Sequence, residues 1–307
     1  MVGFRRAAAL ALVFSFFVIV LGAAVRVTGS GLACPDWPLC YGLWFPTPGK
    51  LAQIPGVAYT FGQVMLEWVH RLLVGGIVGP LVLALLIWAW RLRRERPSLL
   101  RFTVIAFGLL LVQAGIGGFT VFDRNSPSSV AVHLTVAMIF FSVLILIFLI
   151  SGGATRPDRL SANMQRRCGA TALVTLVTLT SGAVMAASGA SLACDSWPWC
   201  GDTLVPDFEA GVLLNMLHRV LALGTVVMIG ALSIRGFAHR VEAPRFFYGV
   251  AGAFVLVLIE AALGAFVVLQ SVPLLGAVIH QALAVLVFSW LMAVYWRPTA
   301  NAHAGKA

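Results

Sequence analysis

Apolar runs long enough to cross a bilayer recur along this 307-residue chain, separated by short polar stretches. Eight segments fit, at about 8–26, 66–90, 100–122, 128–152, 169–188, 212–234, 246–270 and 273–296, each near the ~20 residues a spanning helix needs. The pattern predicts an all-α polytopic membrane protein. Segment one follows Arg5 and Arg6, as an export signal would. It is longer than a signal-peptide core and lacks a small-x-small cleavage site before a polar mature chain, so it reads as a retained helix.

Composition sharpens this picture. Hydrophobic residues make up 60% of the chain and charged residues only 10%, with a mean hydropathy of +0.97. A soluble domain of this size needs far more polar surface. The net charge of +10 would suit a nucleic-acid partner, but the arginines fall between the apolar segments, so none is expected. One group of loops carries Arg91, Arg93, Arg94, Arg96 and Arg101, then Arg156, Arg159, Arg166 and Arg167, then Arg235, Arg240 and Arg245. Loops poor in cations alternate with them. This is the positive-inside pattern of a multi-pass protein in a bacterial cell membrane, surrounded by lipid. It places the basic loops and both termini in the cytoplasm, and the loops 27–65 and 189–211 outside.

The halves repeat. Leu32-Ala33-Cys34-Pro35-Asp36-Trp37-Pro38-Leu39-Cys40 returns as Leu192-Ala193-Cys194-Asp195-Ser196-Trp197-Pro198-Trp199-Cys200, and His70-Arg71 returns as His218-Arg219. Gln113-Ala114-Gly115-Ile116-Gly117 returns as Glu260-Ala261-Ala262-Leu263-Gly264. An even number of spans returns the chain to the same side, so the repeats are parallel. The expected domains are 1–152 and 168–307, joined by a basic linker at 153–167.

Four histidines occupy matching places. His218 follows His70 by 148 positions, and His280 follows His133 by 147. Each lies in the first turns of an even-numbered segment, hence at similar depth near the outer face. Polar groups inside a bilayer are costly and mark function. Facing neutral imidazoles suit the two axial positions of a haem iron in a helical bundle. Gly75, Gly76, Gly115, Gly117, Gly118 and Gly264 leave room for a flat macrocycle, or simply for close helix packing. Zinc lacks a third and fourth ligand repeated in both halves. His239 and His303 lie in basic cytoplasmic segments and read as solvated.

The outward loops each hold a C-x5-C pair, Cys34 with Cys40 and Cys194 with Cys200. Outside the cytoplasm a bridge within each loop is compatible with this spacing, capping the haem end and open to redox chemistry if exposed. Convergence of all four on zinc is the alternative. Cys168 reads as a reduced packing thiol.

One difference separates the halves. Glu67 stands one helical turn before His70, where the second half has Asn215, which cannot take up a proton at ordinary pH. A carboxylate beside one presumed haem distinguishes a catalytic site from a passive one, although orienting His70 is the simpler role. Glu260 reverses the difference against Gln113 and reads as a packing group. Arg71 and Arg219, and more weakly Arg26 and Arg124, are candidates for charge-assisted bonds to haem propionates, or for snorkelling to the interface.

Glu67-x-x-His70-Arg71, His133, His218-Arg219, His280 and the two C-x5-C loops, in this order over all eight segments, resemble the haem A synthase family in its branch with paired loop cysteines. The resemblance implies two pseudosymmetric four-helix bundles. It implies substrate haem O at His70 and His133, cofactor haem b at His218 and His280, Glu67 as catalytic carboxylate, and disulfides Cys34–Cys40 and Cys194–Cys200. The implied reaction oxidises the C8 methyl of haem O to the formyl group of haem A, for terminal oxidases. A handover contact with haem O synthase and an electron acceptor of unspecified kind follow. Two rivals are a di-haem b electron carrier, which needs no Glu67, and a haem transporter or chaperone, which releases the macrocycle unchanged.

Overall fold

The computed structural model describes residues 1–152, 158–201, 209–297 and 299–301. Among them are eight helices long and apolar enough to cross a membrane: α1 Val2–Val27, α2 Phe61–Arg91, α3 Pro97–Phe122, α4 Pro127–Ser151, α5 Ala162–Ala187, α6 Ala210–Ala238, α7 Pro244–Leu269 and α8 Leu274–Tyr295. All eight predicted segments are present. The helices are longer than the apolar runs because polar caps extend them. At α2, Thr60 and Gln63 form a reciprocal capping box, with Gln63 N donating to Thr60 Oγ1 and Thr60 N donating to Gln63 Oε1. Ser161 caps α5 by accepting from Met164 N at 3.2 Å. As a result, Arg166 and Arg167 of the expected linker lie inside a helix. Proline opens α3, α4 and α7, where its missing N–H has no helical partner to lose.

Inside α2 a π-helical turn, Val74–Val78, precedes Pro80. A proline in a helix interior removes one hydrogen bond and collides with the preceding turn, and the wider turn relieves both. It falls one turn beyond His70.

The chain divides into two compact units, residues 2–144 and 145–307, so the last turns of α4 belong with the second half. In the first unit α1 packs along α2, and α2 along α3. Phe4 lies edge-on to Trp88 at 5.9 Å, and Leu85, Leu99 and Ala106 are fully buried around them. In the second unit α5, α6, α7 and α8 pack in a closed ring, each against the next. At one end Leu160, Cys168, Leu232, Phe246 and Val294 form a tight core. There Asp158–Leu160 pairs in parallel with Thr299–Asn301, and Phe246 N donates to Asp158 Oδ2 at 2.8 Å. This short pairing is an addition to an otherwise helical chain. Cys168 is buried in that core as a free thiol, as its sequence setting suggested.

Large apolar side chains such as Phe17, Leu111, Leu223, Val227 and Ile234 are more than half exposed. Surfaces of this kind belong in lipid. The protein is a multi-pass membrane protein.

Candidate functional site

The first helix of each half ends in the same way. Gly29 after α1 and Gly189 after α5 take left-handed φ values of 66° and 70°, a conformation that costs a side-chain-bearing residue more than glycine. The chain then enters the cysteine loop. Cys34 and Cys40 are bonded at an S–S distance of 2.02 Å, and Cys194 and Cys200 at 2.11 Å. Each bridge stays within its loop, so the four sulfurs do not converge on zinc.

Each loop is clamped from below by an arginine. The Nη1 of Arg71 donates to the carbonyls of Asp36 and Leu39, and its Nη2 to Cys34 O and Glu67 Oε1. In the second half Arg219 Nη1 reaches Ser196, Pro198 and Trp199 carbonyls at 2.8–3.2 Å, and Nη2 reaches Cys194 O at 2.8 Å. Arg71 thus spends its Nη donors on the loop and Glu67, and Arg219 turns both its Nη groups to loop carbonyls, so each arginine clamps its loop. The planar fork of guanidinium suits several fixed acceptors at once.

Glu67 is 4% exposed. Its Oε2 accepts the Cys34 backbone N–H at 2.8 Å, and its Oε1 meets Arg71. The carboxylate thus faces the disulfide loop, and orienting His70 is not what these bonds do. Asn215, 1% exposed, performs the reverse operation in the second half, donating Nδ2 to Ala190 O at 3.0 Å and Ser191 O at 3.1 Å. Both side chains anchor a loop, but only one brings a negative charge.

His70 on α2 and His133 on α4 stand in the first half, and His218 on α6 and His280 on α8 in the second. All four are half-buried, as side chains lining a space are. Each ring lies against a glycine of the neighbouring helix. A Cβ on Gly22 of α1 would stand 3.3 Å from His70 Nε2, and one on Gly117 of α3 would stand 3.1 Å from His133 Cε1. In the second half, Gly182 of α5 would crowd His218 Cε1 at 2.9 Å and Gly264 of α7 would crowd His280 Cε1 at 3.0 Å. Gly117 and Gly264 therefore make room for imidazoles. Gly118 instead accommodates the Trp37 ring of the first loop, and Gly75 and Gly115 have open space beside them. Gly22-Ala23 and Gly182-Ala183 lie six residues before the matching turns at Thr28 and Ser188, a repeat legible in the sequence but not drawn from it.

The surroundings of the rings differ between halves. Ser181 Oγ lies 3.0 Å from His218 Nδ1, and Glu260 Oε1 lies 2.8 Å from His280 Nδ1. Leu21 precedes Gly22 where Ser181 precedes Gly182, so the first half offers no hydroxyl there. Gln113 places Nε2 3.1 Å from His133 Nδ1 and donates to His133 O at 3.0 Å. His239 is exposed beside Glu242, and His303 lies outside the described residues.

Among the described residues no three His, Cys, Asp or Glu side chains converge on a metal position. Two imidazoles per half supply two ligands, which fits a metal whose remaining positions are filled by a macrocycle. The glycines that leave each ring its place strengthen that fit.

Residues 5–292 match the family model described as cytochrome oxidase assembly protein. The heme A synthase of Geobacillus kaustophilus is 31% identical over 270 residues, covering 86% of this chain and 81% of that protein. The heme A synthase of an Exiguobacterium species is 32% identical over 267 residues, covering 85% and 83%. That of Bartonella quintana is 29% identical, covering 93% and 89%. With the paired histidines, the repeated cysteine loops and eight spanning helices in place, this chain belongs to the cytochrome oxidase assembly protein family.

Proposed function

We propose that this protein is a haem A synthase of the bacterial plasma membrane, oxidising the C8 methyl of haem O to a formyl group. Its termini and basic loops lie in the cytoplasm and its disulfide loops outside, as the arginine distribution supports. His70 and His133 hold the substrate. His218 and His280 hold haem b. The observation that carries the reading is the asymmetry around matched histidine pairs. Only the first half has a carboxylate, Glu67, one turn from a ligand, and only the second half holds a hydroxyl and a carboxylate against the Nδ1 positions of its ligands. Oxygen acceptors at Nδ1 fix an imidazole for permanent ligation, whereas among the described residues the first half has only the Gln113 amide nitrogen near a ligand Nδ1, and a substrate must come and go.

Haem b, when bound, would supply a one-electron carrier. The chain's own residues do the rest. His70 and His133 would hold the substrate macrocycle by its iron. Each two-electron oxidation of the methyl carbon, with water as the oxygen source, would release two electrons to an external acceptor and two protons, and Glu67 would accept one of those protons. Arg71 and Cys34 N–H hold that carboxylate in one orientation. The disulfide loop, stapled to Glu67 and Arg71, covers the site. Haem O synthase is the natural donor of so insoluble a substrate, by direct contact. Extraction of haems from cells carrying Glu67→Gln tests the assignment: formyl haem must fall while haem b remains.

A further inference from the structure

The buried carboxylate left unused by this chemistry is Glu260. It lies on α7, 9% exposed, one turn before Gly264. Its Oε1 is 2.8 Å from His280 Nδ1, while its Oε2 has no hydrogen-bond partner among the described residues. The approach to Nδ1 is close but not aligned as a hydrogen bond. A small turn of the ring completes it. Glu260 and Gly264 thus form a cradle of two consecutive turns, one touching the ring nitrogen and the other clearing space for the ring carbon.

The first half builds the same cradle from Gln113 and Gly117 around His133. The cradles differ in one group. An imidazole that binds iron through Nε2 keeps its proton on Nδ1, where a carboxylate accepts a strong hydrogen bond. That bond fixes the ring plane and pushes electron density toward the metal, which favours the ferric state. Gln113 instead turns its amide nitrogen, a donor, toward this ring and carries no charge.

We propose that Glu260 is a positioning residue of the second haem site, fixing His280 and holding the haem there at a lower reduction potential than an amide in its place would. This rests on the assignment of His218 and His280 as haem ligands. Its role is then electronic, beyond the packing role suggested by its depth in the helix.

The test is a redox titration of purified holoprotein, following the low-spin haem band optically. Glu260→Gln reproduces the group found at Gln113. It is expected to keep wild-type amounts of haem and to raise the midpoint. At the potential where the wild-type haem is half reduced, the reduced-to-oxidised ratio should rise roughly tenfold, about 59 mV for a one-electron couple. A retained haem with an unchanged midpoint overturns the proposal. If Glu260→Gln does not hold haem, Glu260→Asp keeps the charge but withdraws it from Nδ1. A raised midpoint in that variant supports the proposal. An unchanged midpoint, or haem loss from a protein that still elutes as a folded species, overturns it and assigns Glu260 to retention. His218→Ala tests the underlying reading separately: if that variant kept the same haem at the same potential, the ligand assignment would fail, independently of Glu260.

Discussion

Glu67 and Cys34 are joined by a hydrogen bond of 2.8 Å from the Cys34 backbone N–H to Glu67 Oε2, across 33 positions of sequence. The carboxylate proposed to move protons is therefore also an anchor of the disulfide loop. Glu67→Gln keeps an oxygen that can accept from Cys34 but removes the base. Formation of formyl haem should fall by about 10²–10⁴, the usual contribution of a positioned acid or base. Haem b should stay, and a hydroxylated haem should accumulate. Reversed-phase separation and mass spectrometry of extracted haems give the answer. Undiminished formyl haem would leave Glu67 as a loop anchor alone.

The ligand pairs should separate by spectrum. His218→Ala or His280→Ala removes the tightly held low-spin haem b, whereas His70→Ala or His133→Ala spares most of it and abolishes turnover. Pyridine haemochrome spectra of the four purified variants check this. The opposite pattern would exchange the roles of the two halves.

Gly182→Ala places a methyl group 2.9 Å from His218 Cε1, and Ser181 holds that ring at Nδ1. The ring must shift against its partner, a strain of about 1–3 kcal/mol. Most of the low-spin haem should be lost while the helices remain. Gly224→Ala on α6 meets nothing within 4 Å and serves as the control. Full haem content in Gly182→Ala, measured against that control, would show that the glycine is not needed for ligation.

Arg219→Lys tests the clamp. One ammonium cannot reproduce a fork that reaches the carbonyls of Cys194, Ser196, Pro198 and Trp199. Each lost charge-assisted bond is worth about 1.5–3 kcal/mol, less where water can replace it. The loop should become more readily cleaved by protease, with haem b retained at first. Loss of haem with an intact, protease-resistant loop would instead return Arg219 to the propionates.

The sequence by itself determined the eight helices and the internal repeat, with His70 and His133 in one half and His218 and His280 in the other. These follow from local hydropathy, chain spacing and topology, which a string of residues carries directly. The tertiary structure decided which side chain meets which. Glu260 was legible only as a deep carboxylate, and its contact with His280 depends on how α7 is rotated against α8. The same holds for Ser181 on His218 and for Gly22 and Gly182 beneath their rings. Arg71 and Arg219 follow histidines in sequence, yet they turn to the loops because several fixed carbonyls lie within reach of one planar guanidinium. Partner choice at a helix surface is set by rotation and packing between helices, and neighbouring positions in the chain do not encode it.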